Sequence, residues 1–273
     1  MVTQAVTPTV PTETTRLQMW AFGLSGFGPP YDLRSIVELR ETVPWGRSFD
    51  EYVRMFALSE RELGLSIVGC GDGPAAFNAE MARRGNHIVS VDPLYRFSAA
   101  EIAARVREIA DEMVEGARRK SDAFLWTDFR SPEDLGRRRR GIMQEFLGDY
   151  EAGRREGRYV EASLPKLPFA DKEFDLALCS HLLFTYSSLL SEDDHVRGII
   201  EMCRVANEAR IFPVLDMFDG GRSRHLEPVI ERLRESGLAA ELVRVPYEFQ
   251  RGGNQMLRVT RADGGEIALD GPV

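Results

Sequence analysis

The chain has 273 residues, of which 43% are hydrophobic and 29% are charged, and its formal net charge is −8. This size and composition predict a globular protein with a sizeable core and exclude a disordered chain. An acidic protein repels phosphate backbones, so we do not expect nucleic acid as a partner. No apolar run approaches the roughly 18 residues of a membrane span, and the N-terminus lacks a secretory signal. We therefore expect a cytoplasmic protein without a membrane partner.

The three cysteines are Cys70, Cys179 and Cys203, and none of them stands in a CxxC pair. This spacing is typical of neither a disulfide framework nor a zinc site. No other His, Cys or Glu cluster has the spacing of metal ligands, so we expect no metal.

The first 62 residues divide into two predicted segments. Residues 1–15 are rich in Thr and Pro without periodicity, which is typical of a flexible tail. Residues 16–62 are predicted to contain two short helices after a Gly- and Pro-rich loop, Leu24–Asp32. The second helix begins at Ser48, where Glu51 completes a capping box. The remaining residues, 63–273, form the main predicted domain.

That domain begins with a strand, a glycine turn, a helix and a second strand. Leu65–Val68 and His87–Val91 are short apolar runs, and Pro74–Arg84 between them has helical character. A proline at the start and Gly85 just past the end are typical of a helix. The order predicts a βαβ unit and hence a parallel sheet.

A polar helical insert, residues 98–156, separates this unit from the later strands. Its first helix carries Ile102, Val106, Ile109 and Met113 at helical spacing, and its second begins at Ser131-Pro132 and runs to about Tyr150. Two helices, from Ser191 and around Leu226, then alternate with strands. The predicted later strands are Phe174–Cys179, Ala209–Leu215, Glu241–Tyr247 and Met256–Thr260. The fold class is therefore α/β, with a doubly wound and mostly parallel sheet.

The strongest functional motif is GCGDG, Gly69–Gly73, directly between the first strand and the first helix. Glycines there allow a sharp turn and a close approach of the backbone to a ligand. Asp92 ends the second strand about twenty residues later, where a carboxylate can accept both ribose hydroxyls. The motif predicts a nucleoside cofactor, and the alternative is a glycine turn that serves packing alone.

Three common cofactor or catalytic motifs do not fit the sequence. In the dinucleotide motif GxGxxG the last glycine allows close packing of the helix on the strand, and the pyrophosphate binds amides of the first helical turn. Here that last position is Pro74, which has no amide to donate. No G-K-[ST] follows the turn, which excludes a P-loop. No G-x-S-x-G elbow occurs, which excludes the common α/β-hydrolases.

Three blocks resemble class I (Rossmann-like) S-adenosylmethionine-dependent methyltransferases. They are IVGCGDG with the later VSVD, ASLPKLPFADKEFDLALCSHLLF at Ala162–Phe184, and EMCRVANEARIFPV at Glu201–Val214. The resemblance covers about Leu65–Val259 apart from the insert. It implies a seven-stranded sheet with an antiparallel last strand and a cofactor along the carboxyl ends of the first strands, which is the usual ligand edge of such sheets.

The resemblance also assigns roles to residues. It implies that the glycines hold the methionine side of the cofactor, that Asp92 binds the ribose, and that Ser163 and Leu164 lie at the adenine. Ile67 and Ser163 stand where the family usually has acids, and Asn207-Glu208 replaces a Pro-Gly-Gly. The expected cofactor-binding set is Gly69, Cys70, Gly71, Asp72, Gly73, Asp92, Pro93, Ser163, Leu164 and Ser180.

His181 and Tyr186 are the candidate catalytic residues, because the segment after the fourth strand faces the methyl group in this family. His181 could act as a general base or could instead only cap a helix or pack against the cofactor. Tyr186 could contact substrate or form a wall. The two other histidines considered, His195 and His225, are predicted to be solvated.

The arginine run, Arg137–Arg140, is either an anion-binding patch or a solvated helix face, and the overall acidity favours the solvated face.

In the predicted mechanism the protein mainly holds a small-molecule acceptor in line with the methyl group. The acceptor site is expected to come from Trp20–Tyr31, the insert and Glu248–Asn254. The insert would form a cap over that site or serve as scaffold.

Methyl transfer from S-adenosylmethionine to a small-molecule acceptor is thus the predicted function. A non-catalytic protein that binds the same cofactor is a second hypothesis, which Ile67 and Ser163 leave open. A nicotinamide-dependent oxidoreductase is a third, and Pro74 and the LPF–FD block of residues 167–175 count against it.

Overall fold

The computed structural model describes residues 45–217 and 220–262, in which strands and helices alternate. The predicted tail, the first of the two N-terminal helices and the Leu24–Asp32 loop lie outside these residues. Within the described ranges, every helix is too short or too polar to serve as a membrane span. The strands are β1 (Ile67–Cys70), β2 (Ile88–Val91), β3 (Tyr159–Val160), β4 (Phe174–Ser180), β5 (Ala206–Phe212), β6 (Leu238–Arg244) and β7 (Gln255–Arg261). The α-helices are α1 (Phe49–Met55), α2 (Phe77–Arg83), α3 (Ala99–Arg119), α4 (Pro132–Arg155), α5 (Glu192–Val205) and α6 (Leu226–Glu235).

The seven strands form one sheet in the order β3-β2-β1-β4-β5-β7-β6. Ile67 of β1 pairs with Ile88 of β2 on one side and with Leu176 of β4 on the other. The five adjacent strands β3, β2, β1, β4 and β5 all run parallel. β7 runs antiparallel between β5 and β6. The predicted fold class is therefore confirmed, including the antiparallel last strand. The hydrophobic pattern missed β3, because a two-residue strand carries no periodicity.

Helices cover both faces of the sheet, which is why its central strands are almost continuously apolar. On one face α5 and α6 pack Ile199 and Val229 against the apolar side chains of β4 and β5. On the other face α1 and α2 contribute Tyr52 and Phe77 to a second buried cluster. This two-layer covering leaves the ends of the strands as the accessible part of the sheet.

Several predicted boundaries are wrong by about three residues. α2 begins at Phe77 instead of Pro74, because the amide of Ala76 donates to the carbonyl of Arg47 outside the helix (3.0 Å). β5 ends before Pro213, which has no N–H to continue the ladder. β6 begins at Leu238, immediately after Gly237 reverses the chain with a φ of +79°.

The predicted insert is present as the packed helix pair α3 and α4. Ile102 and Val106 are buried as predicted, but Ile109 and Met113 are only half-buried. Ala110 and Ala117 take the buried positions in the later turns of α3 instead. Small side chains on this face let the two helices approach closely.

The loop between α3 and α4 reaches the loop between β6 and β7. The amide of Leu125 donates to the carbonyl of Phe249 (2.7 Å), and Phe124 stacks on Phe249 with ring centroids 4.7 Å apart. The insert leaves the sheet after β2 and returns before β3, so this contact carries it across the carboxyl edge of the sheet. A cap needs this arrangement, and its closure over a ligand stays a prediction.

A buried ion pair ties three parts of the chain together. Arg139 of α4 donates to both carboxylate oxygens of Glu51 in α1, each at 2.6 Å, and to the carbonyl of Gly46 (2.9 Å). The hydroxyl of Tyr247 in the β6–β7 loop donates to the same carboxylate (2.8 Å). The arginine run is therefore not a uniform solvated face. Arg137, Arg138 and Arg140 are exposed, whereas the Arg139 side chain is 1% exposed.

We predict that Arg139→Met lowers the free energy of unfolding by about 3–5 kcal/mol, because it leaves the Glu51 charge buried and unpaired. Chemical denaturation measures this change. Arg140→Met is the matched control, because Arg140 is exposed and forms a loose surface ion pair with Asp111 (3.6 Å). It should change the free energy of unfolding by no more than about 0.5 kcal/mol. Adding Glu51→Gln to Arg139→Met should restore part of the loss. Equal losses of unfolding free energy in Arg139→Met and Arg140→Met would show that the buried ion pair does not stabilise the fold.

Candidate functional site

The glycine turn after β1 has the backbone that its sequence predicts. Gly71 and Gly73 adopt φ values of +71° and +53°, in the left-handed region that favours glycine. The amide of Gly71 donates to the carbonyl of Val91 (2.8 Å), which holds the turn against the end of β2. The turn therefore lies at the carboxyl edge of the two strands, where ligands bind in open α/β sheets.

The three glycines of the motif have different surroundings. A Cβ on Gly69 would collide with the carboxylate of Asp72, which folds back over β1. A Cβ on Gly71 would lie 2.5 Å from Leu182, so this glycine is required by packing as well as by its backbone. A Cβ on Gly73 would meet no atom within 4 Å. Gly73 is the position of the motif with open space beside it.

Asp72 supplies a buried carboxylate at this turn. It accepts hydrogen bonds from the hydroxyls of Tyr52 (2.8 Å) and Ser90 (2.6 Å). Burial raises its pKa to about 6, the charge of Asp92 adds to the rise, and the two hydrogen bonds oppose it. Ile67, where the resemblance implies an acid, is instead fully buried in the apolar cluster of α1 and α2.

Asp92 joins the end of β2 to the glycine turn. One carboxylate oxygen accepts the amide of Gly73 (2.9 Å) and the other accepts the amide of Leu94 (2.7 Å). Burial raises the pKa of Asp92 to about 6 as well, against the effect of these two amides. The sequence placed Asp92 beside the turn and the structure agrees, while its contact with a ribose stays a prediction.

Ser180 and His181 lie at the same edge, at the end of β4. His181 has a φ of +54°, a strained value for a residue with a side chain, and its amide donates to the carbonyl of Phe212 (2.7 Å). Its Nδ1 is 2.9 Å from the hydroxyl of Ser180, which also interacts with Tyr52. Burial, followed by the charges of Arg47 and Arg139, lowers the pKa of His181 well below its ordinary value. His181 is therefore neutral at physiological pH and can accept a proton.

The remaining predicted cofactor residues differ in what they expose. Ser163 is exposed in a turn after β3, and Leu164 contacts α5 near Gly198. Pro93 is exposed at the start of a short 3₁₀ turn. Cys70 is fully buried, so only its backbone can face a ligand.

The other candidate side chains, Tyr186, His195 and His225, are buried or half-buried. Tyr186 is buried, with 5% of its surface exposed, which suits a wall of the site. The prediction that His195 is solvated is wrong, because it is fully buried and its Nε2 accepts the amide of Phe184 (3.0 Å). His225 is half-buried at the start of α6, with Nε2 3.1 Å from the carbonyl of Ser187.

Four residues that sequence reasoning missed lie around this edge: Arg47, Tyr52, Leu182 and Tyr247. The capping box of α1 predicted the helix that carries Tyr52, but a helix this short does not reveal which surface it packs against. The segment before α1 lies on the glycine turn, because a Cβ on Gly46 would collide with the carbonyl of Pro74. Only the three-dimensional contact identifies these residues.

A cavity of about 370 Å³ lies between α1, the α3–α4 loop and the β6–β7 loop. Its polar lining includes Arg54, Asp128, Arg244, Tyr247 and Asn254. Arg54 is held by Asp128 (2.9 Å) and lies over the ring of Tyr247, 5.0 Å from its centroid. Two of the segments expected to form the acceptor site, the insert and Glu248–Asn254, line this cavity, while Trp20–Tyr31 lies outside the described residues.

We predict that Asp72→Asn flattens the dependence of stability on pH. A carboxyl whose pKa is raised from 3.8 to about 6 in the fold stabilises the protein below about pH 4 and loses that contribution as the pH rises through 6. Between pH 4 and 7 the free energy of unfolding should therefore fall by about 1–3 kcal/mol less in Asp72→Asn than in the unmodified protein. Denaturation at several pH values measures this. Asp111→Asn, at a side chain that is 99% exposed, makes the same charge change and should follow the unmodified protein. An unchanged pH profile for Asp72→Asn would contradict the assignment.

Comparison with known proteins finds a protein of similar sequence and solved structures of distant similarity. No family model matches the chain. Among solved structures, magnesium protoporphyrin IX methyltransferase of Synechocystis PCC 6803, with bound S-adenosylmethionine, is 11% identical, with 94% of this chain and 100% of that chain covered and a TM-score of 0.45. A putative S-adenosylmethionine-dependent methyltransferase of Methanococcus maripaludis is also 11% identical, with 80% and 85% covered and a TM-score of 0.39.

The sequence match is a protein of Methanocaldococcus jannaschii that carries the name uncharacterized protein MJ0045. The two chains are 32% identical over 226 residues, which are 82% of this chain and 99% of the archaeal one. The chain therefore belongs to the same protein family as MJ0045 of Methanocaldococcus jannaschii.

Proposed function

We propose that this protein transfers the methyl group of S-adenosylmethionine to a small-molecule acceptor. The observation that carries the proposal is the pair of carboxylates, Asp72 and Asp92, at the glycine turn. Burial raises the pKa of each to about 6, and the charge that acts on Asp72 is that of another carboxylate. A ligand that brings a positive charge to this turn stabilises the ionised form of both carboxylates, and a sulfonium cofactor is such a ligand.

The residues around the turn suit the rest of the cofactor. Each carboxylate oxygen of Asp92 accepts one backbone amide, which leaves each with capacity for a ribose hydroxyl. The open space at Gly73 allows close approach of a ligand to the backbone. Ser163 and Leu164 would lie at the adenine, and Cys70, Pro93 and Ser180 would complete the site by resemblance to the methyltransferase family.

S-adenosylmethionine supplies an activated methyl group, so the protein has to orient the acceptor, exclude water and remove one proton. His181 is the candidate for the last step because it follows Ser180 at the carboxyl end of β4 and its imidazole is neutral; its low pKa also makes it a weak base in the free protein. The insert and the β6–β7 loop meet above the strand ends through Leu125 and Phe249, which limits the access of water. Tyr186 forms part of the wall.

The site argues against a dinucleotide cofactor. In the dinucleotide motif the backbone between the glycine turn and the helix has to lie open to the pyrophosphate. Here that segment is occupied, because Pro74 has no amide, Gly46 packs on its carbonyl, and the amide of Ala76 donates to the carbonyl of Arg47. We therefore favour S-adenosylmethionine over a nicotinamide dinucleotide.

A non-catalytic protein that binds S-adenosylmethionine is the second candidate. The side chain of Leu182 covers the position where a Cβ of Gly71 would lie, so part of the turn is shielded. This protein would bind the cofactor at Asp92 and Gly73 without methyl transfer.

We expect Gly73→Ala to weaken the binding of S-adenosylmethionine at least tenfold in isothermal titration calorimetry. Gly85→Ala is the matched control, because Gly85 also has a positive φ (+75°), also has open space around its Cβ position and lies at the far end of α2. Both variants should lose about 1–2 kcal/mol of stability from the same backbone strain. Only Gly73→Ala should lose affinity. Equal affinity in the two variants would show that the turn serves packing alone.

We expect methyl-labelled S-adenosylmethionine to transfer label into a small molecule when the protein is incubated with a metabolite extract. His181→Asn should slow this transfer by about 10²–10⁴-fold while cofactor affinity is unchanged, because only proton removal is lost. Chromatography of the labelled product measures the rate. Cofactor binding with no transfer to any extract would favour the non-catalytic candidate, and an undiminished rate in His181→Asn would exclude His181 as the base.

A further inference from the structure

The peptide bond between Gly73 and Pro74 joins the glycine turn to the segment that leads into α2. Proline has no N–H, so the carbonyl of Gly73 is the group through which hydrogen bonding can anchor this peptide bond. Gly73 has a φ of +53° and no side chain, and a glycine adopts left-handed and right-handed conformations about equally well. Contacts from outside the turn therefore have to fix the residue that has open space beside it for a ligand.

Two side chains of one short segment hold Gly73 from both sides. The carboxylate of Asp92 accepts the amide of Gly73 (2.9 Å), and the hydroxyl of Tyr95 donates to the carbonyl of Gly73 (2.8 Å). Asp92 caps the 3₁₀ turn that contains Tyr95, and the amide of Tyr95 donates to the carbonyl of Asp92 (3.1 Å). Because Asp92 and Tyr95 are fixed relative to each other, Gly73 is fixed relative to both.

The insert in turn holds Tyr95. The side chain of Tyr95 is buried, and its ring packs against three aromatic rings, those of Phe146 (centroids 6.1 Å apart), Tyr150 (5.9 Å) and Tyr159 (5.2 Å). The hydroxyl of Tyr150 in α4 donates to the carbonyl of Tyr95 (2.9 Å). A ring that is already fixed by packing loses little further freedom when its hydroxyl donates to Gly73, so this hydrogen bond is preorganised.

We propose that Tyr95 is a positioning residue for the cofactor, whose hydroxyl holds the carbonyl of Gly73 so that the turn binds the methionine part of S-adenosylmethionine. This inference rests on the proposed function, in which the glycine turn meets the methionine part and Asp92 meets the ribose. Without the Tyr95 hydroxyl, Asp92 still accepts the amides of Gly73 and Leu94, so ribose binding should be retained. The two parts of the cofactor therefore respond differently to the loss of this hydroxyl.

Isothermal titration calorimetry with two nucleosides tests this difference. S-adenosylhomocysteine carries the amino acid part of the cofactor, whereas 5′-methylthioadenosine lacks it. We expect Tyr95→Phe to weaken the binding of S-adenosylhomocysteine about tenfold, the size expected for one lost hydrogen bond, and that of 5′-methylthioadenosine by less than about threefold.

Tyr159→Phe is the matched control, because it removes a hydroxyl from the same aromatic cluster, one that donates to Asp149 (2.9 Å) instead of to the glycine turn. This variant should bind both nucleosides like the unmodified protein. The same affinity for S-adenosylhomocysteine in Tyr95→Phe and Tyr159→Phe would overturn the proposal. An equal loss of affinity for both nucleosides in Tyr95→Phe would also overturn it, because the hydroxyl would then support the whole site.

Hydrogen exchange of the Gly73 amide tests the same role in the protein without ligand. The chain contains 24 glycines, and Gly73→Ala identifies the signal of Gly73 in nuclear magnetic resonance spectra of glycine-labelled protein. We expect this amide to exchange at least about tenfold faster in Tyr95→Phe, because the turn opens more often. The amide of Gly85, which donates to the carbonyl of Ala82 (3.0 Å), should keep its rate. Equal acceleration of both amides would show a general loss of stability and would contradict the proposal.

The two experiments separate the role of Tyr95 from the proposed function. If neither nucleoside binds the unmodified protein, methyl transfer from S-adenosylmethionine is wrong as the function, whatever the exchange rates are. If both nucleosides bind and the exchange of the Gly73 amide is the same in Tyr95→Phe as in the unmodified protein, the role of Tyr95 is wrong and the proposed function stands.

Discussion

The buried ion pair between Arg139 and Glu51 is the interaction on which the arrangement of the site depends. The two side chains come from α4, which precedes the edge strand β3, and from α1, which precedes the inner strand β1, and the pair holds these two segments together. Taking two charges out of water costs several kcal/mol, and this cost is offset only when the geometry is good and the other donors and acceptors are satisfied. Here Ser48, Tyr247 and the carbonyl of Gly46 add hydrogen bonds to the pair, and Nε of Arg139 is left buried without a partner. An apolar contact could also join these segments, but it would not leave the charges that distinguish this site.

The electrostatics of the site follow from that pair. Burial, followed by the charges of Arg47 and Arg139, lowers the pKa of His181 and keeps its imidazole neutral. Burial raises the pKa of Asp72 and of Asp92 to about 6, so both carboxylates are still mostly ionised at neutral pH. A cationic methyl donor would compensate the two carboxylates at the glycine turn.

The sequence predicted those parts of the fold that depend on local pattern. The glycine turn, the capping box at Ser48 and the insert helices are local, and each is present in the structure. The two-residue strand β3 was missed because it is held only by its register with β2. The burial of Arg139 and His195 was also missed, because an arginine run and a lone histidine look solvated until their partners are known. The roles of Arg47 and Leu182 arise from contacts between distant segments, which no short motif encodes.

A crystal structure with S-adenosylhomocysteine tests the central claim most directly, since it locates the nucleoside relative to the residues that the argument depends on. The account predicts ribose hydroxyls within hydrogen-bond distance of Asp92, about 2.6–3.2 Å, a methionine chain along Gly71–Gly73 and a sulfur that faces His181. It also predicts that the Arg139–Glu51 pair is retained above the ligand. A nucleoside bound elsewhere, or bound at the turn with its ribose directed away from Asp92, would contradict the account.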